Sequence, residues 1–537
     1  MTDTRISQHP VLKFDRGNKI TFQFEGKPIE AYANETVAAA LYANGLRIFS
    51  RSMKYHRPRG FFCAIGRCSA CMMTIDGVPN VRTCMVNVKE RMNVSRQNGF
   101  PNADHDLLSV MDKMSFYFSL ASGFYHRKMI HPSFLRETYL RILTRFVGLG
   151  HLPSKESIGK PEGSKVSVEA DVVVIGGGPA GLTATLEAAK RCGKVVLIDD
   201  KRMLGGQLVK QTHRFFGDAR HYAGVRGIRI AGKLTEQIRE DEKITTYLGC
   251  DVFGIYNGHV VAAAQENRLL KIHAKKIIIA TGAYERTLLF ENNDLPGVYG
   301  AGGVQTLMNT YSVKPGEKAL VVGAGNVGLI LSYQLLQAGV NVVAIVEALP
   351  KIGGYLVHAA KVRRQGVEIL TSHTVVKAIG RNRVQGAIIA QIDKSFNPIP
   401  GTDRKIDCDL ICIAVGLTPT YELASHAGAQ LQLVPELGGF VARRTKYMEV
   451  ADGVYVAGDV SGIEEATTAM LEGQIVGVHA SLKAGNRLPG DEEQLEAWTK
   501  RLDEDRSGPF GEKIRKGLEN IMLPEGMKIG AERSSDG

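Results

Sequence analysis

The sequence predicts a multidomain chain of mixed α/β and α+β class, in which a small cysteine-bearing domain precedes two nucleotide-binding units. Three observations predict this. Four of the eight cysteines lie within 22 residues near the N-terminus. Two strand, glycine turn and helix patterns follow, each with an acid about 20 residues further on. The 537 residues exceed what one core holds, and the hydrophobic fraction of 44% is ordinary for a folded chain.

The first domain begins with a pattern typical of a hairpin followed by a helix. Residues 18–32 alternate apolar and polar side chains around a glycine, which indicates two short antiparallel strands. The alanine-rich residues 35–45 predict a short helix that ends at a glycine. A loop with three cysteines comes next, and then a second hairpin that turns at Asp76 and Gly77. This order is that of a β-grasp, ferredoxin-like domain.

The four clustered cysteines are Cys63, Cys68, Cys71 and Cys84, with the spacing C-x4-C-x2-C-x12-C. One irregular loop supplies three sulfurs and a later strand returns the fourth, as a ferredoxin-type 2Fe-2S cluster requires. A structural zinc site favours two separated C-x2-C pairs, and only one pair has that spacing. A disulfide is disfavoured because the N-terminus lacks an apolar signal region, which also favours a cytoplasmic location. We therefore expect the four thiolates to hold a 2Fe-2S cluster.

Positive charge is concentrated towards the N-terminus. Residues 1–170 hold 24 Lys and Arg against 14 Asp and Glu, so they carry most of the net charge of +12. Just before the cysteines, Arg51, Lys54, Arg57 and Arg59 bring four positive charges within nine residues. Such a run is either a solvated surface or a site for an acidic partner, a flavin phosphate or the charge of the cluster. No other feature indicates nucleic acid, and no apolar run reaches membrane-spanning length.

Residues 98–168 are predicted to connect the first domain to the nucleotide-binding units. An aromatic-rich part comes first, and residues 134–147 then place apolar side chains at helical spacing with basic side chains opposite. We expect this helix to pack between domains rather than to lie on a membrane surface. Residues 155–167 are rich in Gly, Pro, Ser and Lys, which is typical of a linker.

The first glycine turn, residues 176–181, follows an apolar strand. Gly176 permits a tight turn, Gly178 allows backbone N–H groups to approach a pyrophosphate, and Gly181 lets helix and strand pack closely. The next strand ends at Asp199, 18 residues past the last glycine, where a carboxylate can accept hydrogen bonds from a ribose. The complete pattern of strand, turn, helix, strand and acid predicts a dinucleotide site.

Two further apolar strands indicate which dinucleotide is bound. One runs into Thr281 and Gly282, and the other runs into Gly458 and Asp459. This set resembles the two-dinucleotide-binding flavoproteins related to glutathione reductase and thioredoxin reductase. The resemblance implies an FAD site in which the aspartate bonds the ribityl chain and a Gly-Gly-Gln loop passes the flavin. The residues implied to bind FAD are Gly176, Gly178, Pro179, Ala180, Gly181, Asp199, Asp200, Gly206, Gln207, Thr281, Gly282 and Asp459.

The second glycine turn, residues 323–328, lies between the two parts of the predicted FAD-binding domain. Gly323, Gly325 and Gly328 repeat the pattern, and Glu347 ends the next strand 19 residues past the last glycine. An acid there favours NAD over NADP. The alternatives are another adenine nucleotide, or a domain that keeps its fold without a nicotinamide. The predicted divisions are 1–97 for the 2Fe-2S domain, 98–168 for the connector, 169–312 and 404–483 for the FAD-binding domain, 313–403 for the inserted nucleotide-binding domain and 484–537 for a C-terminal arm.

The other four cysteines argue against disulfide chemistry. Cys192, Cys250, Cys408 and Cys412 form no C-x2-C pair, so we expect them to be buried, unreactive thiols. A disulfide reductase needs a dithiol beside its flavin, and the sequence has none. No cysteine follows Cys412, so a second cluster motif is also missing from the sequence.

The combination of these parts resembles a family of heteromeric enzymes. A 2Fe-2S domain, the basic segment 54–60 and this flavoprotein core are similar to the α subunits of amine and imino-acid dehydrogenases. These include the N-terminal portion of sarcosine oxidase α, the α subunits of opine, proline and hydroxyproline dehydrogenases, and the fused A and B subunits of hydrogen cyanide synthase. Residues 280–286 and 295–298 match segments of this group, and the resemblance spans about residues 15–480. It implies a partner, namely an amino-acid-oxidase-like flavoprotein β subunit, and leaves open further small subunits and FMN at an interface between them.

Three functions follow as hypotheses. The first is an electron-transferring subunit that carries FAD and a 2Fe-2S cluster, while a partner flavoprotein oxidises the C–N bond of an amino or imino acid. The second is a self-contained NADH:acceptor oxidoreductase with NADH at the second glycine turn. The third is a scaffold subunit whose nucleotide is structural. The charged, glycine-punctuated residues from 484 onward suggest a peripheral or partly disordered arm without assigned chemistry.

Overall fold

The computed structural model describes residues 3–53, 55–110, 112–113, 137, 148–150, 163–214 and 222–524. The aromatic stretch and the amphipathic helix predicted in the connector lie outside these residues, apart from residue 137. The chain divides into two compact units, of which unit 1 comprises Met1–Ile158 and Glu285–Val415, and unit 2 comprises Gly159–Tyr284 and Gly416–Gly537. The division of the chain made from the sequence, with boundaries at 312/313 and 403/404, stays a prediction.

The N-terminal part of unit 1 has the predicted order of hairpin, helix, cysteine loop and hairpin. Thr36 caps the helix Val37–Ala43, because its hydroxyl accepts a hydrogen bond from the Ala39 N–H at 3.3 Å. Asp76 and Gly77 both have positive φ, as a two-residue hairpin turn requires. The five-stranded sheet has the order Lys27–Tyr32, Lys19–Phe24, Asn93–Ser95, Met72–Ile75 and Val78–Arg82. The short strands Ser50–Arg51 and Pro58–Arg59 pair with each other, and a 3-10 turn spans Leu107–Ser109.

The second part of unit 1 contains the second glycine turn. Its sheet is parallel, in the order Val298–Gly300, Leu410–Ile413, Lys318–Val322, Asn341–Glu347 and Ile369–Thr371. A separate antiparallel sheet comprises His373–Ile379, Gly386–Gln391 and Arg404–Ile406. The helices are Ala301–Gln305, which continues as a π-helical turn at Thr306–Thr310, then Asn326–Gln337 and Leu356–Arg363.

One hydrophobic core joins both parts of unit 1. It contains Phe22 and Leu41 from the cysteine-bearing part together with Leu307 and Val321 from the part with the second glycine turn, and each is at most 1% exposed. The hydroxyl of the buried Tyr299 also donates to the hydroxyl of Tyr42 at 2.7 Å. The two parts are distant in sequence, yet they bury their apolar side chains against each other.

Unit 2 contains the first glycine turn in a sheet of eight strands, counted over the described residues. The main path has the order Ile244–Leu248, Val195–Asp199, Ser164–Ile175, Arg268–Ile279, Val260–Gln265 and Asp251–Tyr256. Val454–Val456 pairs with Arg268–Ile279 and with Glu449–Ala451. The remaining strands are Ala283–Glu285, whose last residue belongs to unit 1, Leu417–Pro419, Leu431–Val434 and Gly439–Ala442.

The helices of unit 2 include some that pack on the parallel strands and others that belong to the C-terminal arm. They are Pro179–Arg191, Gly227–Glu240, Glu422–His426, Ala466–Lys483, Asp491–Asp505 and Pro509–Glu519, with 3-10 turns at Gly206–Lys210, Pro435–Leu437 and Gly458–Val460. No helix among the described residues has the length and apolar character needed to cross a bilayer.

Two expectations about irregular segments are corrected. The strand Ser164–Ile175 takes in the last residues of the predicted linker, because its parallel pairing with Arg268–Ile279 begins at Ser164. The arm after residue 484 forms two helices in its described part, and Asp491 pairs with the buried side chain of Arg191 at 2.6 Å. This part of the arm is therefore packed into unit 2 rather than peripheral.

Candidate functional site

The four predicted cluster cysteines lie close together as two pairs. The side chains of Cys63 and Cys68 hydrogen-bond to each other, and so do those of Cys71 and Cys84. Within the described residues, no group of three or more His, Cys, Asp or Glu side chains could hold a single metal ion. A 2Fe-2S cluster takes two thiolates at each of its two irons, so two adjacent thiol pairs fit its donor set.

Backbone N–H groups of the cluster loop (residues 63–71) stabilise negative charge on sulfur. The Cys68 N–H lies 3.4 Å from the sulfur of Cys63, and the N–H groups of Ile65 and Arg67 also donate to it. The hydrogen bond from the Cys68 thiol, helped by these N–H groups, lowers the pKa of Cys63 to about 5, although burial opposes the shift. The same hydrogen bond raises the pKa of Cys68, which keeps the shared proton. A loop that favours thiolate suits a metal–sulfur site.

The cluster loop is held from two sides. The hydroxyl of Thr83 donates to the Cys71 carbonyl at 2.6 Å, and that of Ser50 donates to the Ala70 carbonyl at 2.8 Å. On the other side, a Cβ on Gly303 would lie 2.2 Å from the carbonyl oxygen of Phe62. Gly303 therefore lets the helix that begins at Ala301 pass directly against the residue before Cys63. No local signal in the sequence indicates this contact, because 240 positions separate Cys63 from Gly303.

The basic run before the cluster loop is largely engaged within unit 1. Arg51 is buried and donates to the carbonyls of Ala103 at 2.7 Å and of His56 at 3.0 Å. His56 is buried too, and its Nδ1 lies 2.8 Å from a carboxylate oxygen of Asp106. These contacts tie the run to the loop that follows the last strand of the cysteine-bearing sheet.

The other two arginines of the run share the acid Asp294, and Arg57 also lies 3.7 Å from Asp112. Arg57 and Arg59 lie 3.2 Å and 3.0 Å from the carboxylate of Asp294. Lys54 lies outside the described residues. The sequence left open a solvated surface or a site for an anion, whereas carbonyls and carboxylates of the same unit already bind Arg51, Arg57 and Arg59.

The first glycine turn requires glycine at its first and last positions. Gly176 has a φ of 106°, and a Cβ there would lie 2.3 Å from the Ala280 carbonyl oxygen. A Cβ on Gly181 would lie 1.8 Å from the carbonyl oxygen of Gly176. No larger residue fits either position without moving the backbone. Gly178 differs, since the nearest atom to its Cβ position is the Cα of Gly206, 4.0 Å away, and it precedes the helix whose first residues are Pro179 and Ala180.

Asp199 binds the turn itself. Its carboxylate accepts hydrogen bonds from the Gly177 N–H at 2.6 Å and from the Lys201 N–H at 2.7 Å. Burial, together with the negative charge of Asp200, raises the pKa of Asp199 to about 6. Asp200 is directed elsewhere, because its carboxylate lies 2.6 Å from the ammonium of Lys201. Of the two neighbouring acids predicted to bind FAD, Asp199 is the one that contacts the first glycine turn.

Three neighbouring parallel strands bring the other predicted residues to the same edge. Arg268–Ile279 pairs in parallel with Ser164–Ile175 and with Val454–Val456. The carboxyl ends of parallel strands meet at one edge of a sheet, which is where ligands of open α/β sheets bind. Thr281 and Gly282 follow the strand Arg268–Ile279, and Asp459 follows the strand Val454–Val456. Burial raises the pKa of Asp459 to about 7.

The predicted Gly-Gly-Gln loop covers the first glycine turn. The Gly205 N–H donates to the Gly177 carbonyl at 2.8 Å. Gly206 has a φ of 53°, and a Cβ on it would lie 2.7 Å from the Cα of Gly178. The backbones of the two segments therefore touch at glycines, while the side chain of Gln207 is exposed beside them.

A buried charge network supports the turn at Gly458 and Asp459. The carboxylate of Glu472 accepts from the Gly458 N–H at 2.8 Å, from Arg444 at 3.0 Å and from Arg506 at 2.7 Å. Arg506 also pairs with Glu464 at 2.5 Å. Burial opposes ionisation of Glu472, but the two guanidiniums hold its pKa below the usual range. Sequence reasoning missed these residues, because Arg506 lies in a segment without any motif.

The second glycine turn repeats the close approaches of the first. A Cβ on Gly323 would lie 2.3 Å from the Ala414 carbonyl oxygen, and one on Gly328 would lie 2.0 Å from the Gly323 carbonyl oxygen. Around Gly325 nothing lies within 4 Å of the Cβ position. The backbone of this turn is therefore as open towards a ligand as that of the first.

Glu347 takes the place of Asp199 at the second glycine turn. Its carboxylate accepts from the Ala324 N–H at 2.7 Å and from the Leu349 N–H at 2.9 Å. A further contact has no counterpart at the first turn, since the side-chain oxygen of Asn326 accepts from the Tyr355 N–H at 2.8 Å. The three glycines predicted for a second nucleotide thus form one turn, and the predicted acid binds it.

Comparison with known proteins assigns the chain to a family. The family model described as pyridine nucleotide-disulphide oxidoreductase matches residues 170–473, which is more than half of the chain. The chain belongs to this family. A second model, described as a 2Fe-2S iron-sulfur cluster binding domain, matches residues 17–99. The chain therefore joins a 2Fe-2S domain to a flavoprotein core of the oxidoreductase class, as the sequence predicted.

The curated relatives include two oxidase subunits. The alpha subunit of sarcosine oxidase from Rhizobium meliloti (strain 1021) is 30% identical over 459 residues, which cover 82% of this chain and 44% of that protein. An opine oxidase subunit from Agrobacterium tumefaciens (strain Ach5) is 28% identical over 346 residues, which cover 58% of this chain and 65% of that protein. The chain thus spans less than half the length of the sarcosine oxidase subunit. The predicted resemblance to this group of α subunits is confirmed.

The fold is shared with a solved structure. L-proline dehydrogenase from P. horikoshii superimposes with a TM-score of 0.62 and is 24% identical in sequence. The match covers 91% of this chain and 79% of that one. The predicted fold, a ferredoxin-like domain followed by a thioredoxin-reductase-like flavoprotein core, is confirmed.

Proposed function

We propose that the chain is the electron-transferring flavin and iron–sulfur subunit of a heteromeric dehydrogenase that oxidises the C–N bond of an amino or imino acid. A partner flavoprotein subunit of the amino-acid-oxidase type carries the substrate site. The similarity to sarcosine oxidase and opine oxidase subunits supports this substrate class. Within it, substrates of the proline, sarcosine, opine and glycine types are the candidates.

One observation carries the proposal: a cysteine tetrad arranged for a 2Fe-2S cluster occurs in a flavoprotein chain without a dithiol. The two thiol pairs are Cys63 with Cys68 and Cys71 with Cys84. The other four cysteines are buried and form no disulfide, which disfavours the disulfide chemistry that the family name suggests. The four cysteines are then the site from which single electrons leave this chain.

We assign FAD to the first glycine turn, with the residues that the sequence implied. Gly178 lies at the N-terminus of the helix Pro179–Arg191, where free N–H groups and the helix dipole favour a pyrophosphate. Asp459 follows a strand that ends at the same sheet edge, and in this proposal its carboxyl group accepts a hydrogen bond from a cofactor hydroxyl. When bound, FAD exchanges electron pairs whereas a 2Fe-2S cluster exchanges single electrons, so the two together convert one kind of transfer into the other.

The proposal is tested by purifying the chain with its natural partner subunits. We expect the complex to reduce a dye with an amino or imino acid as donor, and the isolated chain to be inactive with the same donors. Cys68→Ser removes a ligand, so we expect loss of the electron paramagnetic resonance signal of the reduced cluster and about 100-fold slower dye reduction. Cys250→Ala, a buried thiol in unit 2, is the control and keeps both signals.

Two results would contradict this function. One is oxidation of the amino or imino acid by the isolated chain at the full rate of the complex, which would place the substrate site here. The other is a full rate of dye reduction in the complex with Cys68→Ser, which would favour the scaffold hypothesis.

The second candidate function is a self-contained NADH:acceptor oxidoreductase. The second glycine turn favours it, because Glu347 is positioned there as an acid for a free 2′-hydroxyl. Anaerobic mixing of the isolated chain with NADH distinguishes the two functions. Rapid bleaching of the flavin that is lost in Glu347→Gln supports the second function, and no bleaching within minutes supports the first.

A further inference from the structure

A cleft in unit 1 lies away from both the cluster loop and the glycine turns. Its volume is about 480 Å³, within the range of roughly 300–1,000 Å³ that small-molecule sites occupy. One side comes from the segment after the first helix, including Asn44, Leu46 and Arg47. The other side comes from the turn between the strands His373–Ile379 and Gly386–Gln391, which carries Arg381 and Arg383.

The charge of this cleft is unbalanced. Three arginines line it, and its one carboxylate, Asp104, is bound at 2.7 Å by Arg96 outside the lining. The side chains of Arg381 and Arg383 have no hydrogen bond or ion pair among the described residues, and Arg47 donates only to carbonyls there. Guanidiniums that share a cleft repel one another unless an anion joins them. The arrangement therefore favours a ligand with several negative groups.

The arginines are presented by an ordered framework. The guanidinium carbon of Arg47 lies 3.9 Å from the centre of the Tyr42 ring, and its Nη1 donates to the Tyr42 carbonyl at 2.8 Å. The turn that bears the other two begins at Gly380, whose φ is 149° and whose Cβ position lies 1.9 Å from the Arg383 carbonyl oxygen. The Val384 N–H then donates to the Pro296 carbonyl at 2.8 Å, which anchors the turn.

The nature of the ligand follows from these groups. A guanidinium presents a planar fork that binds carboxylate or phosphate oxygens in pairs. The floor includes Phe24, Ile29 and Leu41, so an apolar portion can lie beneath the anionic groups. We propose that this cleft binds a small organic polyanion, with two or more carboxylate or phosphate groups disposed towards Arg47, Arg381 and Arg383. The site is separate from the electron-transfer role proposed above, and each can fail without the other.

The test uses the full chain with its flavin and cluster in place. Isothermal titration with pyrophosphate and with citrate distinguishes a phosphate-type ligand from a carboxylate-type ligand. We expect one of them to bind with one-to-one stoichiometry, and its affinity to fall about tenfold or more in Arg381→Gln/Arg383→Gln. Both side chains are exposed, so the thermal unfolding temperature should stay the same.

Two matched variants guard against general charge effects. Arg363→Gln/Arg364→Gln removes the same charge from exposed positions at the end of another helix, and should leave the affinity within about twofold. Arg47→Lys keeps the charge but loses the planar fork, and should weaken binding severalfold.

Two outcomes overturn the proposal. One is an equal loss of affinity in the two double variants. The other is no binding of either small anion at millimolar concentration while a hexaglutamate peptide binds, which would make the cleft a docking site for an acidic protein segment.

Discussion

The two glycine turns share one backbone arrangement and differ in what surrounds it. The Gly176 N–H donates to the Ile198 carbonyl at 2.7 Å, and the Gly323 N–H donates to the Val346 carbonyl at the same distance. At each turn an acid at the end of the next strand binds the N–H that follows the first glycine. A nucleotide fingerprint therefore specifies the turn, and the same fingerprint appears twice with nearly identical geometry.

The difference lies on the far side of each sheet. Beside the first turn, the strand Val454–Val456 delivers Gly458 and Asp459, and a buried charge network holds them. At the corresponding place beside the second turn, the strand Val298–Gly300 leads into a helix that packs on the cluster loop through Gly303. One turn thus has an additional carboxylate at its sheet edge, while the other lies in the part of unit 1 that packs on the cluster loop. The neighbouring strands and helices, rather than the glycine pattern, therefore distinguish the two turns.

The largest expected effect comes from the last glycine of each turn. Gly181→Ala pushes a methyl group against the Gly176 carbonyl oxygen, so we expect loss of FAD and destabilisation of unit 2 by about 3 kcal/mol or more. Gly328→Ala creates the same clash in unit 1 and should spare the flavin. Flavin absorbance per chain and thermal unfolding measure both effects. Gly232→Ala, at a helical glycine with open space around it, is the control and should be neutral or slightly stabilising. Full flavin content in Gly181→Ala would refute the assignment of FAD to the first turn.

The next effect concerns the network that only the first turn possesses. Arg506→Gln leaves Glu464 and Glu472 buried without one of their partners, which should destabilise unit 2 by about 3–5 kcal/mol and release flavin at lower denaturant concentration. Denaturant unfolding followed by flavin fluorescence measures this. Arg501→Gln, in the same arm but with more exposed partners, should change stability by less than about 1 kcal/mol. If both variants unfolded alike, the network would not support the turn.

A smaller effect is the pH dependence that Asp459 gives to unit 2. Burial raises the pKa of Asp459 from 3.8 to about 7, so the folded state keeps a proton that the unfolded state loses. Stability contributed by this group is full below about pH 4 and falls as pH rises towards 7. In Asp459→Asn, the free energy of unfolding should decrease by about 1–2 kcal/mol less over this pH range, after allowance for the partial exposure of the residue.

Denaturant unfolding of flavin-free protein between about pH 5 and about pH 7.5 measures this slope. Asp452→Asn, at an exposed position, is the control and should keep the full slope. An identical slope in Asp459→Asn and the unsubstituted protein would show that Asp459 ionises normally in the folded state.

The smallest effect tests a contact of the second turn that has no counterpart among those described at the first turn. Asn326→Pro copies the residue at the same position of the first turn, Pro179, and removes the acceptor for the Tyr355 N–H. Proline is tolerated at the first position of a helix, so we expect a loss of only about 1 kcal/mol in unit 1 and no change in flavin content. Hydrogen exchange at the Tyr355 amide should become faster. Unchanged protection of that amide would show that the contact contributes nothing.

Local spacing predicted the residues of both turns and of the cysteine tetrad. Gly181 and its counterpart Gly328 were identifiable because a Cβ on each would lie 1.8 Å and 2.0 Å from the carbonyl oxygen of the glycine five residues earlier, so only glycine fits. Cys63, Cys68 and Cys71 were identifiable because a short loop fixes the directions of its thiols. In each case the contact or spacing that requires the residue involves positions only a few residues apart, so the local sequence is enough to predict it.

Charge contacts were not predictable in the same way. The run from Arg51 to Arg59 had the composition of a free basic surface, yet Asp294 binds two of its arginines and backbone carbonyls bind another. Arginines without a carboxylate partner among the described residues line the cleft in unit 1 instead, at Arg47, Arg381 and Arg383. Surface arginines look alike in sequence, and their state depends on which carboxylate the folded chain brings near.

The amino-acid sequence was therefore sufficient for the order of the parts, the two glycine turns and the grouping of four cysteines, because glycine spacing and thiol spacing are local properties. The tertiary structure alone established that the cysteine-bearing part shares a core with the part that contains the second glycine turn, and that Arg506 of the C-terminal arm supports Gly458 through Glu472. Those contacts join segments hundreds of residues or several elements apart. They arise from apolar burial and charge pairing between surfaces that meet only when the chain has folded.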